Sequence, residues 1–520
     1  MADGGWLVRQ RAAIYLVANL AALLASLIGA QVHDQPSEVA IYACALLALC
    51  SAPLLFLQRL NDRYALLGIF MACYYLFFGA KDLQILLLGT DLVQPTRDGL
   101  FTPAELLILA GALCALVGYL LGAALGSPPR SQRAPAEWPA HWILLVGLVL
   151  WALGMTAGFY YQIYVVPSKL GYAAAKGMAN MGPVLTLFIM LGQMMTSVGV
   201  LMLAYGYAKY RGVLWTTLIV AVVAAQVVVG FIEDIKGQAV IAPALVIMTR
   251  VMVNNRLPKI WMAYMVAFLL VAFPVFQAYR AVSGERGLDR AQALQHLDLL
   301  FEKAVSATEK VNTGSHRAET FLERSSSKGN LDVLLEHVGV DVPYLEGTSL
   351  AAIPLAFVPR LLMPDKVDVS VGELFGRVIL KSDSGVYISI SHLGELYWNF
   401  GWGGVFLGMF IIGSILGFVG GRFSLENGVT LTRVMLLLAT VQPLCMGFGG
   451  TMPVSYVVWA RAMAAIGLMH LCFARRVAGD ADAGERSAQV EPTLPKLQST
   501  AITLPVALHQ PVPRFPNLLR

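Results

Sequence analysis

Charge is scarce in this 520-residue chain: Asp, Glu, Lys and Arg together supply 13% of the residues, against 57% hydrophobic. A soluble domain carries about 25% charged and about 45–50% apolar residues. That imbalance, with a mean hydropathy of +0.67, excludes a soluble globule and indicates an integral membrane protein. Paired cysteines are also missing. Cys44, Cys50, Cys73, Cys114, Cys445 and Cys472 all lie inside apolar stretches, so they read as core or lipid-facing residues, without disulfide or metal-ligand spacing. There is no Walker loop, no G-x-G-x-x-G after a strand and no Cys/His metal signature. ATP-driven transport within the chain, a metal site and a bound cofactor are therefore not expected. No cleavable signal peptide is expected either, because the first apolar segment follows Arg9 and Arg11 and runs a full membrane thickness without an A-x-A-like exit. The net charge of +5 comes from short loops, where it orients a membrane protein and is no sign of nucleic-acid binding.

What is present is apolar length. Runs able to cross a bilayer begin near residues 12, 39, 64, 104, 139, 184, 213, 237, 260, 402, 430 and 452, which predicts an all-α, polytopic protein of about twelve spans. Basic pairs fall at every second connection: Arg9/Arg11, Arg59/Arg63, Arg130/Arg133, Lys209/Arg211, Arg256/Lys259, Arg422/Arg433 and Arg475/Arg476. The positive-inside rule then predicts both termini in the cytoplasm. Four regions follow: spans one to nine over 1–277, one large outer loop over 278–401, spans ten to twelve over 402–473, and a Pro/Ala/Ser-rich tail over 474–520 expected to be disordered and cytoplasmic. Behind an outer membrane the large loop would be periplasmic. Gln292 to Val305 and Asn330 to Val338 carry apolar residues at helical spacing and predict short helices lying against the membrane surface. Ser349 to Val358 is too short to span and reads as re-entrant or interfacial. Pro354, Pro359 and Pro364 mark irregular backbone, which membrane depth tolerates only beside protein or a water-filled cavity.

Ionisable residues at membrane edges are expensive and point to function. Three groups lie at the outer ends of spans: Glu233 to Lys236, Tyr279 to Arg286, and Arg360, Asp365, Lys366, Glu373 and Arg377 leading into SHLGELYWNFGWGG. Each has an ordinary reading beside the functional one. Arg286 and Arg290 alternate with Glu285 and Asp289, as in a solvated salt-bridged face, and Lys236 has Asp234 at hand. Arg360, between Pro359 and an apolar stretch, has no acid nearer than Asp365, and an arginine so placed calls for an anion. Glu395 suits a first-turn helix acid or a general base, and His392 an ordinary loop residue or a second base. Tyr397, Trp398, Asn399 and Trp402 suit a sugar-binding surface; an interfacial aromatic belt explains the tryptophans equally well but not Glu395 and Asn399.

The order P-Y-L-E-G-T-S (Pro343 to Ser349), I-P-L-A-F-V-P-R (Ile353 to Arg360), M-P-D-K (Met363 to Lys366) and G-E-L-Y-W-N-F-G-W-G-G (Gly394 to Gly404) resembles the oligosaccharide repeat-unit polymerases, the Wzy-type O-antigen and exopolysaccharide polymerases. In that family the outer loop commonly reads G-x-x-Y, I-P-R, W-P-x-K-P and then G-E-x-Y-x-N-F-G-x-x-G at the start of a span. This chain departs from the pattern at Met363 for Trp, Val367 for Pro, Ser349 for an aromatic residue and Lys236 where Arg is common. A lysine keeps the charge at that last position and loses the bidentate fork.

The resemblance implies an architecture like the membrane-embedded (GT-C-like) glycosyltransferases and a location in a bacterial inner membrane. It implies a metal-independent enzyme that transfers a growing glycan from undecaprenyl diphosphate onto the non-reducing end of an incoming lipid-linked repeat unit. Arg360, Lys366, Arg280 and Lys236 would bind the diphosphate and sugars, Glu395 would be the general base with His392 second, and Tyr397 and Asn399 would orient the acceptor. The expected partners are the lipid-linked oligosaccharides and the bilayer, with a chain-length regulator and a flippase as further candidates. Two rivals stand beside it: an O-antigen ligase, and a lipid-linked oligosaccharide flippase, which would carry its charges at the midplane.

Overall fold

The computed structural model describes residues 3–89, 99–127, 137–160, 183–210, 212–232, 236–265, 267–268, 326–357, 371–381 and 388–474. Two units partition the chain, 1–476 and 477–520, and the second lies wholly outside the described residues. Among the described residues the first unit is helical and contains no strand. In chain order the helices are α1 (Asp3–Val32), α2 (Ser37–Ser51), α3 (Pro53–Phe56), α4 (Ala65–Phe78), α5 (Ala80–Leu88), α6 (Pro103–Gly126), α7 (Ala140–Tyr160), α8 (Pro183–Tyr210), α9 (Val213–Ile232) and α10 (Lys236–Asn254). After the large connection come α11 (Lys328–His337), α12 (Thr348–Phe357), α13 (Val371–Val378), α14 (Ser391–Arg422), α15 (Leu431–Thr440) and α16 (Met452–Phe473).

Eight of the described helical segments are long and apolar enough to cross a membrane, or nine if the bent pair α4 and α5 is one span. The chain is a polytopic membrane protein. The described helices start within a few residues of the starts expected for them, apart from α1, which begins at Asp3, and α14. That helix begins at Ser391 instead of near 402, so the polar stretch expected at the end of the outer loop forms its first turns. At a rise of 1.5 Å per residue, its 32 residues measure about 48 Å against a hydrocarbon core of about 30 Å. The first ten residues therefore stand beyond what spanning needs.

The connections gather at two ends of the bundle. At one end Arg63 pairs with Glu426 at 3.2 Å, Leu60 N donates to Asn255 Oδ1 at 2.8 Å, and Lys209 pairs with Glu137 at 2.9 Å. At the other, Ser327 N donates to Phe77 O at 2.9 Å and Asn330 Nδ2 donates to Ser389 O at 2.9 Å, fastening the described part of the large loop. The first is the basic end of the bundle and the second the loop end.

The central contact is α6 against α14. Gly118, Gly122 and Gly126 face the carbonyls of Phe410, Ser414 and Phe418, while Gly413, Gly417 and Gly421 face those of Ala115, Tyr119 and Ala123. A Cβ at any of these six would collide with backbone. Two interleaved small-x-x-x-small runs thus bring the helices to backbone contact, where van der Waals packing holds helices together in lipid. Gly417→Ala is expected to force the pair apart at an overpacking cost of about 1–3 kcal/mol. Thermal unfolding in detergent checks this: Gly403→Ala, where a Cβ meets nothing within 4 Å, should leave the midpoint unchanged.

Three interrupted helices meet at the loop end. α4 and α5 bend by 57° across Gly79. α14 breaks at Phe400 and Gly401, where Gly401 adopts φ 62° and ψ −150°, a region essentially reserved for glycine. α15 runs into a π turn, Val441–Cys445, that contains Pro443 and then a 3-10 turn, Met446–Gly449. Phe448 on that last turn packs among Phe70, Tyr74 and Phe78. Interrupted backbone of this kind is stable in a membrane because protein surrounds it.

Candidate active site

His392, Glu395 and Asn399 are spaced by three and then four residues, which sets them on one face of α14. All three are sealed, at 0%, 0% and 1% exposure. Glu395 Oε2 accepts from Met452 N at 2.9 Å, the first residue of α16. The cap residue Thr451 makes no side-chain cap bond there, so Glu395 supplies the acceptor from another helix. A carboxylate at the positive end of a helix dipole is held electrostatically as well as by the hydrogen bond. Glu395 lies in the second turn of its own helix, and its service is to α16, a role different from the first-turn acid its position suggested.

Asn399 Nδ2 donates to Ser349 Oγ at 2.8 Å and to Glu395 O at 2.7 Å. Ser349 belongs to α12, and its hydroxyl also lies near the Glu395 carboxyl. His392 Nε2 lies 3.2 Å from Ser455 Oγ, with its ring against Phe448 and Tyr456 at centroid distances of 4.9 and 5.8 Å. Ser455 Oγ donates to Gly447 O at 3.3 Å. With its only proton so used, Ser455 accepts from Nε2–H, which leaves Nδ1 of a neutral imidazole as a lone-pair acceptor.

The site therefore holds three open acceptors beside one open hydroxyl, that of Tyr456, whose Oη is buried and has no hydrogen bond among the described residues. His392 Nδ1, Glu395 Oε1 and Asn399 Oδ1 are all buried and make no hydrogen bond of good geometry among the described residues. Buried acceptors left open cost free energy, and three on one helix face suit a ligand rich in hydroxyl groups.

The other expected site residues fall as follows. Tyr397 points elsewhere on α14, with its ring 6.3 Å from that of Tyr344. Trp398 is buried at 1% exposure, donates from Nε1 to Pro343 O at 3.2 Å and packs on Phe375, so it offers no open sugar-stacking face. Trp402, beyond the break, is exposed and packs on Phe406. Lys236 opens α10, while its side chain lies outside the described residues. Arg280, Arg360 and Lys366 also lie outside them. The segment that carries Arg360 and Lys366 follows α12 directly, and α12 is tied to the site by Ser349. Leu345 N donates to Trp398 O at 2.9 Å, which fixes the approach to α12 on α14.

Several residues here were not singled out from sequence. Ser349 registered only as a departure from the resemblance pattern, and Ser455 and the Met452 N–H not at all. The turn F-G-G-T-M-P, Phe448 to Pro453, does carry a helix-start signal in its proline at the second helical position. A second polar cluster was also missed. Lys328 of α11 pairs with Asp82 and Glu105, each at 2.8 Å, and lies over the Tyr42 ring at 4.4 Å. Glu105 meanwhile completes a capping box with Thr102 at the start of α6. The sequence signal was two acids set into apolar runs.

No protein-family model, no curated protein and no solved structure matches the chain.

Proposed function

We propose that this chain is a glycosyltransferase of the repeat-unit polymerase kind, acting on undecaprenyl-diphosphate-linked oligosaccharides at the outer face of a bacterial inner membrane. The observation that carries the reading is the sealed set of open acceptors at His392, Glu395 and Asn399, on the helix that opens with G-E-L-Y-W-N-F-G. Glycan hydroxyls can donate to these acceptors and can also accept from the open Tyr456 hydroxyl beside them.

In the reaction, a hydroxyl of the incoming unit attacks the anomeric carbon of the growing glycan. A glycosidic bond forms, the bond from that carbon to the diphosphate breaks, and the hydroxyl proton passes to Glu395 Oε1. Oε2 remains on the Met452 N–H, so the base is held in one orientation. Arg360 and Lys366 stabilise the charge that develops on the leaving lipid diphosphate, the main electrostatic task of the step. Twelve spans, cytoplasmic termini and a GT-C-like architecture belong to the same proposal. It is supported by the meeting of Arg63, Lys209 and the 252–255 turn at one end of the bundle and of the large loop at the other.

Purified protein in proteoliposomes with lipid-linked repeat units should yield chains of many units and release undecaprenyl diphosphate. Transfer of single units onto a lipid A core acceptor would instead mark a ligase, and movement of units across the bilayer without new glycosidic bonds a flippase. Arg360→Ala should abolish polymer and Arg360→Lys should retain a fraction, because a planar guanidinium contacts two phosphate oxygens where an ammonium acts as a point charge. Full activity of the lysine variant would remove Arg360 from the site.

A further inference from the structure

At the basic end, on the far side of the bundle from the acceptor set, the imbalance is reversed. Arg250, one turn from the end of α10, donates from Nη1 to Tyr207 Oη at 2.8 Å and stacks over the Tyr207 ring at 4.8 Å. Trp261 Nε1 donates to the same hydroxyl at 3.2 Å. Tyr207 Oη thus accepts twice, and its own proton has no acceptor among the described residues. Arg250 Nε is buried and has no partner among the described residues, although the residue as a whole is only half-buried. Arg, Tyr and Trp side chains here offer donors, and no described acceptor takes up the remainder.

Among the described residues no carboxylate is at hand to do so. The sequence contains no Asp or Glu from Trp138 to Ile232, nor from Ile235 to Gly284, which covers α7 to α10 and the turn that follows. The described acids at this end are engaged elsewhere: Glu137 with Lys209, Glu426 with Arg63, and Asp62 with the backbone N–H groups of Gln58, Arg59 and Tyr64. Two more cations, Arg256 and Lys259, sit exposed on the connection between Arg250 and Trp261. The charge of Arg250 therefore calls for an anion from outside the described chain.

The flank identifies the source of that anion. Leu257, Ile260, Met262 and Tyr264 are exposed at 54%, 85%, 41% and 41%, beside an indole and a phenol of the type that lines membrane interfaces. We infer that Arg250, Tyr207 and Trp261 form a binding site for the phosphate of an anionic phospholipid in the leaflet at the basic end, with the acyl chains lying along this apolar flank. Basic pockets between membrane helices on the cytoplasmic side hold anionic headgroups in the same way. The inference is independent of the proposed transferase chemistry, since it concerns the opposite end of the bundle.

The full-length protein, purified in a zwitterionic detergent, is titrated with phosphatidylglycerol, phosphatidylcholine or inorganic phosphate, and bound lipid is counted by native mass spectrometry. Phosphatidylglycerol should be retained in preference to phosphatidylcholine, and inorganic phosphate should not displace it. Arg250→Gln should lower retention about fivefold, the factor for loss of one basic contact at a membrane surface. Tyr207→Phe keeps the ring beneath the guanidinium and removes the hydroxyl; it should also weaken retention and serves as the test if Arg250→Gln does not fold. Equal retention of the two lipids, retention unchanged in the folded variants, or displacement by inorganic phosphate would each overturn the assignment.

Discussion

Glu395→Gln is expected to leave the protein folded in the membrane and to remove long polymer. The amide carbonyl of glutamine can still accept from Met452 N, so the start of α16 keeps its acceptor. What is lost is the basic carboxylate, whose Oε1 makes no hydrogen bond of good geometry among the described residues. General-base catalysis contributes about 10² to 10⁴ in rate, enough to erase visible chains. Glu395→Ala should behave differently, leaving the Met452 N–H orphaned in a buried site and costing about 1–3 kcal/mol of stability as well as activity. If Glu395 is only the cap of α16, the glutamine variant will polymerise at close to the normal rate while the alanine variant unfolds early. A time course of chain growth alongside a melting curve for each variant separates the two roles.

Lys328→Met is expected to be the most destabilising single change at the loop end. It removes one ammonium from two carboxylates at once, and the Asp82 and Glu105 side chains are 10% and 0% exposed. Breaking a buried ion pair from one side costs about 3–5 kcal/mol. The consequence is local first: α11 joins the large loop to the bend between α4 and α5 and to the start of α6, so its release should appear as early proteolysis near residue 328. Burial works against the Lys328 charge, yet Asp82 and Glu105 outweigh it and hold its pKa above the ordinary lysine value. The lysine's contribution is thus fully present below the ordinary lysine pKa and is lost only as pH rises through the higher folded value.

Asp332, one turn further along α11, titrates in the opposite sense of usefulness. Burial pushes its carboxyl up to about 6, against the pull of Lys328. A carboxyl whose folded pKa is raised contributes stability that is fully present below the ordinary Asp value and lost as pH rises through about 6. Asp332→Asn should therefore stabilise the protein at pH 8 and be neutral at pH 4. Melting midpoints at those two pH values check this; an equal shift at both would assign the effect to packing instead of charge.

The membrane class, the start of most described helices and the alternation of basic connections were legible in the sequence. Hydropathy accumulates over neighbouring residues, and a stretch of about twenty apolar side chains needs no distant partner to seek the bilayer. The stripe His392, Glu395 and Asn399 was half legible. The residues drew notice as polar groups beside an apolar run, but the helix beginning at Ser391 was hidden by the glycines and aromatics of GELYWNFGWGG, which blur a hydrophobic period. The glycine seam of α6 and α14 was written in small-x-x-x-small spacing, yet such spacing does not say which two helices meet.

Only the tertiary structure decided what those residues face. Glu395 meets an N–H 57 positions away, and Lys328 meets acids 223 and 246 positions away. Ser349 meets Asn399 across 50 positions. The unfilled acceptors at the loop end and the unfilled donors at Arg250 are likewise tertiary facts, because an unfilled hydrogen bond exists only once every other neighbour has been placed. The sequence alone determined that the chain enters the membrane, because that depends on local transfer free energy. Which polar groups are left open inside it depends on long-range packing, and no local pattern of residues encodes that.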